Sequence, residues 1–281
     1  MALAKEIALT FDDAPRPSTA LTGKKRSELL VKSLKGLKVA FFANSDKLTE
    51  EGKERMKFYG NAGHSIGNHT HSHPEINKTP IQDYLTDIRK ADDQLKGFPN
   101  FMKWFRFPYL REGETVEKRD KAREELNRLG YINGYVTVKN YDWYMDWLYQ
   151  QALKSKKKID RKALRDFYVQ TLMDGVKYYD QMAMDVLGRS PKHILLLHEN
   201  DLAALFVKDL ILELQKQGWK IIDPALAYKD DIASFKATEA FPSNPGRIGE
   251  IAKDKKWKGK LWHEACDEEY LDKLFTKNVL K

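Results

Sequence analysis

Three of the seven histidines in this sequence fall within five residues, at His69, His71 and His73. His69 and His73 are four positions apart, so on a turn of helix both imidazoles would project from one face and could share a metal ion. A polar loop in which the histidines only form hydrogen bonds is the alternative, although His-rich tracts often bind metal. Because a catalytic zinc site usually takes three protein ligands and leaves a position for water, the pair requires a third ligand.

The candidate third ligand lies near the start of the chain. Asp12 and Asp13 follow the apolar segment 5–11, and Pro15 and Pro17 come shortly after them. Many α/β proteins place catalytic side chains at such strand ends, because the sheet fixes the backbone while the loop leaves the side chains accessible. A helix cap or a solvated turn is the alternative for the two acids.

The elements that must position these residues are apolar strands alternating with helices. Continuous apolar runs are typical of parallel strands that are buried on both faces. The predicted strands are 5–11, 38–42, 64–67, 104–107, 131–138, 193–197 and 219–222, and the predicted helices are 25–34, 48–59, 80–95, 115–129, 160–187 and 202–217.

Seven alternating strands predict an α/β fold in the form of a distorted (β/α) barrel with about seven parallel strands. We assign residues 1–232 to this domain. From residue 233 onward the alternation stops, so residues 233–281 are predicted to form a C-terminal appendage of short helices and loops.

Further reactive side chains follow the later predicted strands. Arg106 and Tyr109 follow the fourth, Asp142 and Trp143 follow the fifth, and His198 follows the sixth. Because the carboxyl ends of barrel strands meet at one mouth, these groups are expected to surround a single site. For His198 taken alone, a core histidine with satisfied hydrogen bonds is the alternative.

Five motifs, in this order along roughly residues 5–225, resemble those of the polysaccharide deacetylase family, also called NodB-homology carbohydrate esterases. They are Thr10-Phe11-Asp12-Asp13, His69-Thr70-His71-Ser72-His73-Pro74, Arg106-Phe107-Pro108-Tyr109, Asp142-Trp143 and Leu195-Leu196-Leu197-His198. The third motif continues with Leu110 where the family usually has glycine. The fourth is only half present, because Lys139 stands at the position of its upstream acid, and Asp146-Trp147 offers a second candidate for it.

The resemblance implies a NodB-type barrel that holds one divalent metal ion. Asp13, His69 and His73 would be its ligands, and His71 falls outside the family's ligand set. This set of one carboxylate and two imidazoles matches an open three-ligand site, so zinc is the expected ion. The ion would polarise a carbonyl and lower the pKa of bound water.

The resemblance also implies the roles of the remaining motif residues. Asp12 would be the general base, held by Arg106, and His198, titrating near neutrality, would be the general acid. The backbone N–H of Tyr109 would face the oxyanion. Asp142 would support Arg106 or His198.

The activity implied is removal of N-acetyl groups from GlcNAc-containing glycans, first of all peptidoglycan, with chitooligosaccharides or lipid-linked sugars as alternatives. Trp143 and Tyr109 would contact the sugar, and Tyr141 and Trp147 add aromatic faces nearby. A glycan-binding protein that keeps the metal without turnover is a further alternative. The combination of general base, arginine and general acid argues against it, since binding alone requires no acid or base.

Composition limits the partners. The net charge of +8 and the pI near 9.2 favour an anionic partner. The dense basic runs at 154–158 and 253–260 come without a zinc-finger spacing, an RNA-binding aromatic signature or a DNA-reading helix, so nucleic acid is not expected. The single cysteine, Cys266, excludes an intrachain disulfide.

No apolar run approaches the roughly 20 residues needed to span a bilayer, so no integral membrane segment is expected. A glycan of the cell wall would place the protein in the bacterial envelope, as a periplasmic or secreted enzyme from which an N-terminal signal has been removed. Without such a signal, the cytoplasm is the expected location.

Overall fold

A computed structural model describes residues 5–281, so the first four residues of the predicted domain lie outside the described part. The strands are β1 (Lys5–Ala14), β2 (Ala40–Ala43), β3 (Ser65–Asn68), β4 (Phe101–Phe105), β5 (Ile132–Asn133), β6 (His193–His198) and β7 (Trp219–Ile221). The helices are α1 (Gly23–Ser33), α2 (Glu50–Asn61), α3 (Ile81–Leu95), α4 (Val116–Arg128), α5 (Asp142–Lys154), α6 (Arg161–Leu187), α7 (Asp201–Lys216), α8 (Pro224–Ala227), α9 (Arg247–Asp254) and α10 (Glu268–Asn278).

The seven strands form one parallel sheet with the order β5-β4-β3-β2-β1-β6, and β7 pairs with the first residues of β1. Beyond β5, Val138 forms a parallel bridge with Leu195 of β6. This bridge brings the far edge of the sheet back towards β6, so the sheet curls into an incompletely closed barrel. The predicted distorted (β/α) barrel is confirmed.

Strand β1 lies at the centre of this sheet. Its side chains from Ile7 to Phe11 are fully buried, as expected for a parallel strand that is covered on both faces. It pairs with β2 on one side and with β6 on the other. In the β6 pairing Asp12 lies opposite His198, so the two carboxyl ends meet at the same edge of the sheet.

The helix that follows β6, α7, is capped by a side chain that also contacts a predicted site residue. Asn200 caps α7 by accepting a hydrogen bond from the Ala203 N–H (2.8 Å). Its side-chain amide donates to a carboxylate oxygen of Asp142, the first residue of α5 (3.1 Å). The cap therefore ties α5 and α7 together directly beside β6.

The structure departs from the predicted elements after β4. The predicted strand 131–138 is reduced to β5 and the bridge at Val138, because Gly134 still donates to the Phe105 carbonyl of β4, whereas Thr137 and Val138 donate to the Ile194 carbonyl of β6. Helix α5 was not predicted, although Met145, Leu148 and Ala152 are buried at helical spacing.

The predicted appendage forms α9, α10 and two single turns, and its apolar side chains join the main core. Ile248, Ile251, Leu271 and Phe275 belong to the same buried cluster as the residues of β1. The domain boundary after residue 232 stays a prediction. Across residues 5–281, no helix is both long enough and apolar enough to cross a membrane.

Candidate active site

A cavity of about 410 Å³ opens where β1 and β6 end. Its lining includes seven residues that the sequence motifs indicated: Asp12, Asp13, His69, His73, Tyr109, Trp143 and His198. Arg106 and Asp142 are fully buried and contact this lining. The structure therefore brings all nine predicted site residues together.

Asp13, His69 and His73 form a cluster of potential metal ligands, with one donor atom from each lying within 4.8 Å of the others. The Nε2 atoms of His69 and His73 lie 3.6 and 3.4 Å from Asp13 Oδ1. His69 uses its Nδ1 for a 2.7 Å hydrogen bond to the Arg106 carbonyl, which points Nε2 towards Asp13. Such a second hydrogen bond fixes the tautomer and ring orientation of a metal-binding histidine.

The histidines converge through an irregular loop, so the predicted turn of helix is wrong. Thr70 and His73 adopt positive φ angles of 71° and 57°. The loop holds this shape because Asn68 Oδ1 accepts from the Thr70 N–H (2.8 Å) and Thr70 Oγ1 accepts from the His73 N–H (3.0 Å). His71 points away and shares a 2.8 Å hydrogen bond with Ser45.

Backbone strain is concentrated around this cavity. Of the eight non-glycine residues with positive φ in the described chain, four line it: Asp13, His73, Tyr109 and Leu110. A fifth, Thr70, lies in the loop between His69 and His73. Left-handed backbone is costly for residues with a side chain and persists where the surroundings enforce it, commonly at functional sites.

Burial determines the protonation of the two paired histidines. It lowers the pKa of His69 and of His73 to about 4. Both imidazoles are therefore neutral near pH 7, the form that binds a metal ion. Burial by itself raises the pKa of Asp13, but the nearby histidines, His198 first among them, lower it to about 2.

Asp12 is 3 % exposed, and its Oδ1 accepts a 2.7 Å hydrogen bond from Arg106 Nη1. Its Oδ2 lies 3.8 Å from His69 Nε2, beside the ligand cluster. Burial raises the pKa of Asp12 above its ordinary value, and the Arg106 charge opposes that shift. A carboxylate with a raised pKa is better suited to accept a proton.

Burial and several hydrogen bonds hold Arg106 in place beside Asp12. It is fully buried at the end of β4, and its guanidinium lies 4.1 Å from the centre of the Phe42 ring. Besides Asp12, its hydrogen-bond acceptors are the hydroxyl oxygens of Thr10 and Tyr228 and the Gly134 carbonyl.

His198 is the last residue of β6 and lies opposite Asp12 in the pairing with β1. Its Nδ1 lies 2.6 Å from Asp142 Oδ1, and its backbone N–H donates to Asp142 Oδ2 (2.8 Å). Burial lowers the pKa of His198, but the charge and hydrogen bond of Asp142 outweigh it and raise the value to about 9. His198 therefore carries a proton at neutral pH, and the expectation that it titrates near neutrality is not supported.

The two candidate acids of the fourth motif are one turn apart on α5 and differ in their contacts. Asp142 contacts His198, whereas Asp146 Oδ1 accepts from the Leu202 N–H (3.0 Å). Asp146 lines a neighbouring cavity instead of the one that contains the histidines. Geometry thus favours Asp142 as the acid that serves this site.

Tyr109 and Trp143 lie on the rim of the cavity. Tyr109 is 54 % exposed, and its ring meets that of His73 edge-on, with centroids 4.7 Å apart. Trp143 is partly buried and contacts the Tyr141 ring, at a centroid distance of 5.4 Å. Both positions suit contact with a bound substrate.

Sequence reasoning missed several groups that line the cavity: Arg16, Arg111, Lys139, Asn140 and Ser243. The last comes from the predicted appendage, and the neighbouring Asn244 carbonyl accepts a hydrogen bond from Lys139 Nζ (3.3 Å). Burial lowers the pKa of Lys139. For Lys139 the sequence did carry a signal, namely a lysine at a motif position that normally holds an acid. For Ser243 it carried none.

Residues 2–133 match the family model described as polysaccharide deacetylase. This part of the chain is therefore a polysaccharide deacetylase domain, and the resemblance drawn from the motifs is confirmed. The match contains β1 to β5, with Asp12, both paired histidines and Arg106. Asp142 and His198 lie beyond it.

Two curated relatives match about half of the chain. The peptidoglycan-N-acetylglucosamine deacetylase of Bacillus cereus is 33% identical over 139 residues, which cover 49% of this chain and 46% of that protein. The chitin deacetylase of Arthroderma benhamiae is 30% identical over 140 residues, covering 48% of this chain and 35% of that protein. Each alignment thus spans less than half of the relative's length.

Among solved structures, the fold resembles that of a CE4 family pseudoenzyme from Bacillus anthracis. The TM-score is 0.56 at 18% identity, and the match covers 81% of this chain and 66% of that one. At this identity the likeness concerns the fold alone.

Proposed function

We propose that this protein is a metal-dependent hydrolase that removes N-acetyl groups from GlcNAc-containing glycans, first of all peptidoglycan. The observation that carries the proposal is one cavity that brings the Asp13, His69 and His73 cluster together with two further groups. One is Asp12 with its arginine, and the other is His198 with its aspartate. Amide hydrolysis requires a base for the attacking water and an acid for the leaving amine, and these two groups can supply them.

The donor set fits a divalent cation. Two neutral imidazoles and one carboxylate converge, and the imidazole of His69 is already oriented by the Arg106 carbonyl. One carboxylate and two imidazoles, opening onto a cavity, suit Zn²⁺ with a free coordination position, so we propose zinc. When bound, the ion would supply Lewis-acid polarisation of the acetyl carbonyl.

Asp12 acts as the general base in this proposal. Arg106 engages only Oδ1, which leaves Oδ2 facing the ligand cluster to take the proton of the attacking water. Because Arg106 is rigidly held by its other hydrogen bonds, the carboxylate is positioned before substrate arrives. The backbone N–H of Tyr109 is proposed to donate to the developing oxyanion.

His198 acts as the general acid. Its Nδ1 is held by Asp142, so Nε2 remains to deliver a proton to the nitrogen of the leaving amine. Amines are poor leaving groups unless they are protonated as the C–N bond breaks, and the raised pKa keeps His198 charged until that step. Asp142 then stabilises the charged imidazole, as a positioning residue.

Peptidoglycan is the proposed substrate because its peptide carboxylates are anionic and the chain carries a net charge of +8. The similarity to the deacetylase of Bacillus cereus that is named for peptidoglycan N-acetylglucosamine supports the same substrate class. Chitooligosaccharides and lipid-linked sugars remain the alternatives. Action on cell-wall glycan would place the enzyme in the bacterial envelope.

The test is mass spectrometry of purified muropeptides and of chitooligosaccharides after incubation with zinc-loaded protein, which should show the loss of one acetyl group. With muropeptides the rate should fall as salt rises, because screening weakens attraction between the basic protein and the anionic substrate. Equal rates on both substrates at every salt concentration would reject the peptidoglycan preference. Binding of both without release of acetate would identify a glycan-binding protein.

A further inference from the structure

Lys139 lies in the wall of the catalytic cavity, and the proposed reaction assigns no part to it. It directly follows Val138, whose bridge to Leu195 brings this segment beside β6. Lys139 is only 7 % exposed. Lysine is almost never buried to this degree unless its charge is paired, because an unpaired buried charge is costly. The position of Lys139 therefore requires a partner for its amino group.

The protein itself supplies Lys139 with few partners. A charged amino group has three N–H donors, and among residues 5–281 its one hydrogen-bond acceptor is the Asn244 carbonyl, 3.3 Å from Nζ. Burial lowers the pKa of Lys139, the positive charge of Arg111 lowers it further, and no carboxylate of the described chain offsets them. The nearby Cys266 thiol stays protonated at neutral pH, because burial raises its pKa to about 11. Lys139 is therefore a nearly buried amino group without a counter-ion.

Arg111 adds a second cation to the lining of the cavity, but its charge is compensated. Its guanidinium pairs with the Glu75 carboxylate and lies 5.8 Å from the centre of the Tyr109 ring. Because Glu75 offsets Arg111, the two cations together carry the net charge of Lys139 alone. A singly charged anion such as a carboxylate matches this charge better than a doubly charged phosphate monoester does.

The lining near Lys139 also departs from the family's motifs. Lys139 stands at the position of an acid, and Leu110 stands where the family usually has glycine. Both residues line the catalytic cavity. An acid at position 139 would repel a carboxylate in the cavity, whereas a lysine attracts it. The reversal of charge at this position therefore indicates that the cavity receives an anionic group.

We infer that the catalytic cavity recognises an N-acetylated sugar that carries a carboxylate, and that Lys139 binds this carboxylate. The free N–H donors of Lys139 supply charge-assisted hydrogen bonds to it, and Arg111 orients further N–H groups at the same cavity. The inference rests on the proposed function, since it specifies the substrate class of the same site. Lys139 is thus a specificity-determining residue that favours acidic N-acetyl sugars over neutral ones.

The test measures binding by calorimetry, using the whole chain loaded with zinc and carrying Asp12→Asn so that no ligand is consumed. The acidic probes are N-acetylmuramic acid, whose carboxylate belongs to a lactyl group, and N-acetylglucosaminuronic acid, whose carboxylate replaces the sugar's primary alcohol. The neutral probe is N-acetylglucosamine. At least one acidic probe should bind about tenfold more tightly than the neutral one, or by roughly 1.4 kcal/mol.

Two variants of Lys139 identify the source of this preference. Lys139→Met has a side chain of similar length without the charge, so it should abolish the preference and leave the binding of N-acetylglucosamine unchanged. Lys139→Arg keeps the charge and should keep most of the preference. If the methionine variant also loses N-acetylglucosamine binding, the arginine variant decides: a retained preference supports the inference, and a lost one contradicts it.

Lys208→Met is the matched control, because Lys208 is an exposed lysine of α7 that does not line the cavity. It removes the same charge from the protein and should leave the preference unchanged. Equal binding of acidic and neutral probes, or a preference that survives Lys139→Met, overturns the inference. A dependence on Lys139 that is found only with phosphorylated N-acetylglucosamine overturns the carboxylate as the recognised group.

The two proposals fail separately. If the wild-type protein releases acetate from glycans but Lys139 does not affect the binding of either acidic probe, only the carboxylate site is lost. If it releases no acetate from any N-acetyl sugar while the binding of an acidic probe still depends on Lys139, the deacetylase proposal is lost and the carboxylate site stands.

Discussion

The three histidines that line the cavity do not share one charge state. His69 and His73 have pKa values lowered to about 4, whereas the pKa of His198 is raised to about 9. All three are largely buried. They differ in the partner of the imidazole: the Nδ1 of His69 contacts the neutral Arg106 carbonyl, and that of His198 contacts the Asp142 carboxylate.

Histidine therefore serves two kinds of chemistry within one cavity. Burial alone favours the neutral imidazole, which can bind a cation. Burial beside a carboxylate favours the imidazolium, which can donate a proton. The difference in charge between the histidines therefore depends on Asp142, and variants of the histidines and of their partners can test it.

The largest effect is expected at the neutral pair. His73→Ala should lose the metal ion and reduce turnover by about 10⁴-fold or more, beyond what a single acid or base usually contributes. Metal content by atomic spectroscopy and acetate release together check this expectation. His71→Ala is the matched control, since this imidazole belongs to the same loop but contacts Ser45, and it should keep the metal. Full metal occupancy in the His73 variant would falsify the ligand assignment.

A smaller loss is expected when the base is removed. Asp12→Asn should keep the metal and lower turnover about 10³-fold, within the usual range for general acid–base catalysis. His198→Ala should behave in the same way. The decisive measurement pairs metal content with turnover: a metal-free Asp12 variant whose activity returns with added zinc would exchange the roles of the two aspartates.

A positioning effect is expected at Asp142. Asp142→Asn should lower turnover about 10- to 100-fold, the usual cost of losing such a supporting partner. The Asp142 carboxylate raises the pKa of His198, so its removal lowers that pKa. The acid form of His198 is lost as pH rises through its pKa, and the alkaline limb of the pH–rate profile should therefore move to lower pH. The profile of kcat against pH checks the shift.

Asp146→Asn gives the matched comparison and the smallest effect. This carboxylate is on the same helix, but it contacts the Leu202 N–H and not His198. Turnover of a short substrate should fall less than it does in the Asp142 variant. The alkaline limb of the pH–rate profile should keep its position. A shifted limb in the Asp146 variant alone would reassign the fourth motif.

Local patterns predicted most of the fold. All six predicted helices are present, and their ends are shifted by only a few residues, because their apolar faces repeat at helical spacing. The strand at 131–138 was predicted too long, since its β-branched and aromatic residues do not reveal that the chain changes its partner from β4 to β6 within this segment. Helix α5 was not predicted, because the exposed Trp147 interrupts the helical spacing of its buried residues Met145, Leu148 and Ala152.

For the site, the order of the motifs identified the nine predicted residues. It could not show which groups surround each of them in the folded protein. The raised pKa of His198 depends on a 2.6 Å contact with Asp142, across 56 positions of sequence. The convergence of His69 and His73 depends on left-handed backbone at Thr70, which a β-branched residue seldom adopts. Ser243 and Arg16 were missed because no local pattern marks a residue that reaches the cavity through tertiary packing.

The pairing of β1 with β6 has a consequence for how the protein folds. Asp12 and His198 are neighbours across this pairing, yet nearly two hundred positions separate them in the chain. Contacts of such high sequence separation form slowly, because the entropy of closing a long loop must be overcome first. The base and the acid therefore come together only when β6 pairs with β1, and no folding intermediate that lacks this pairing can be active. Recovery of acetate release after denaturation would thus report the β1–β6 pairing, whereas recovery of helical signal would precede it.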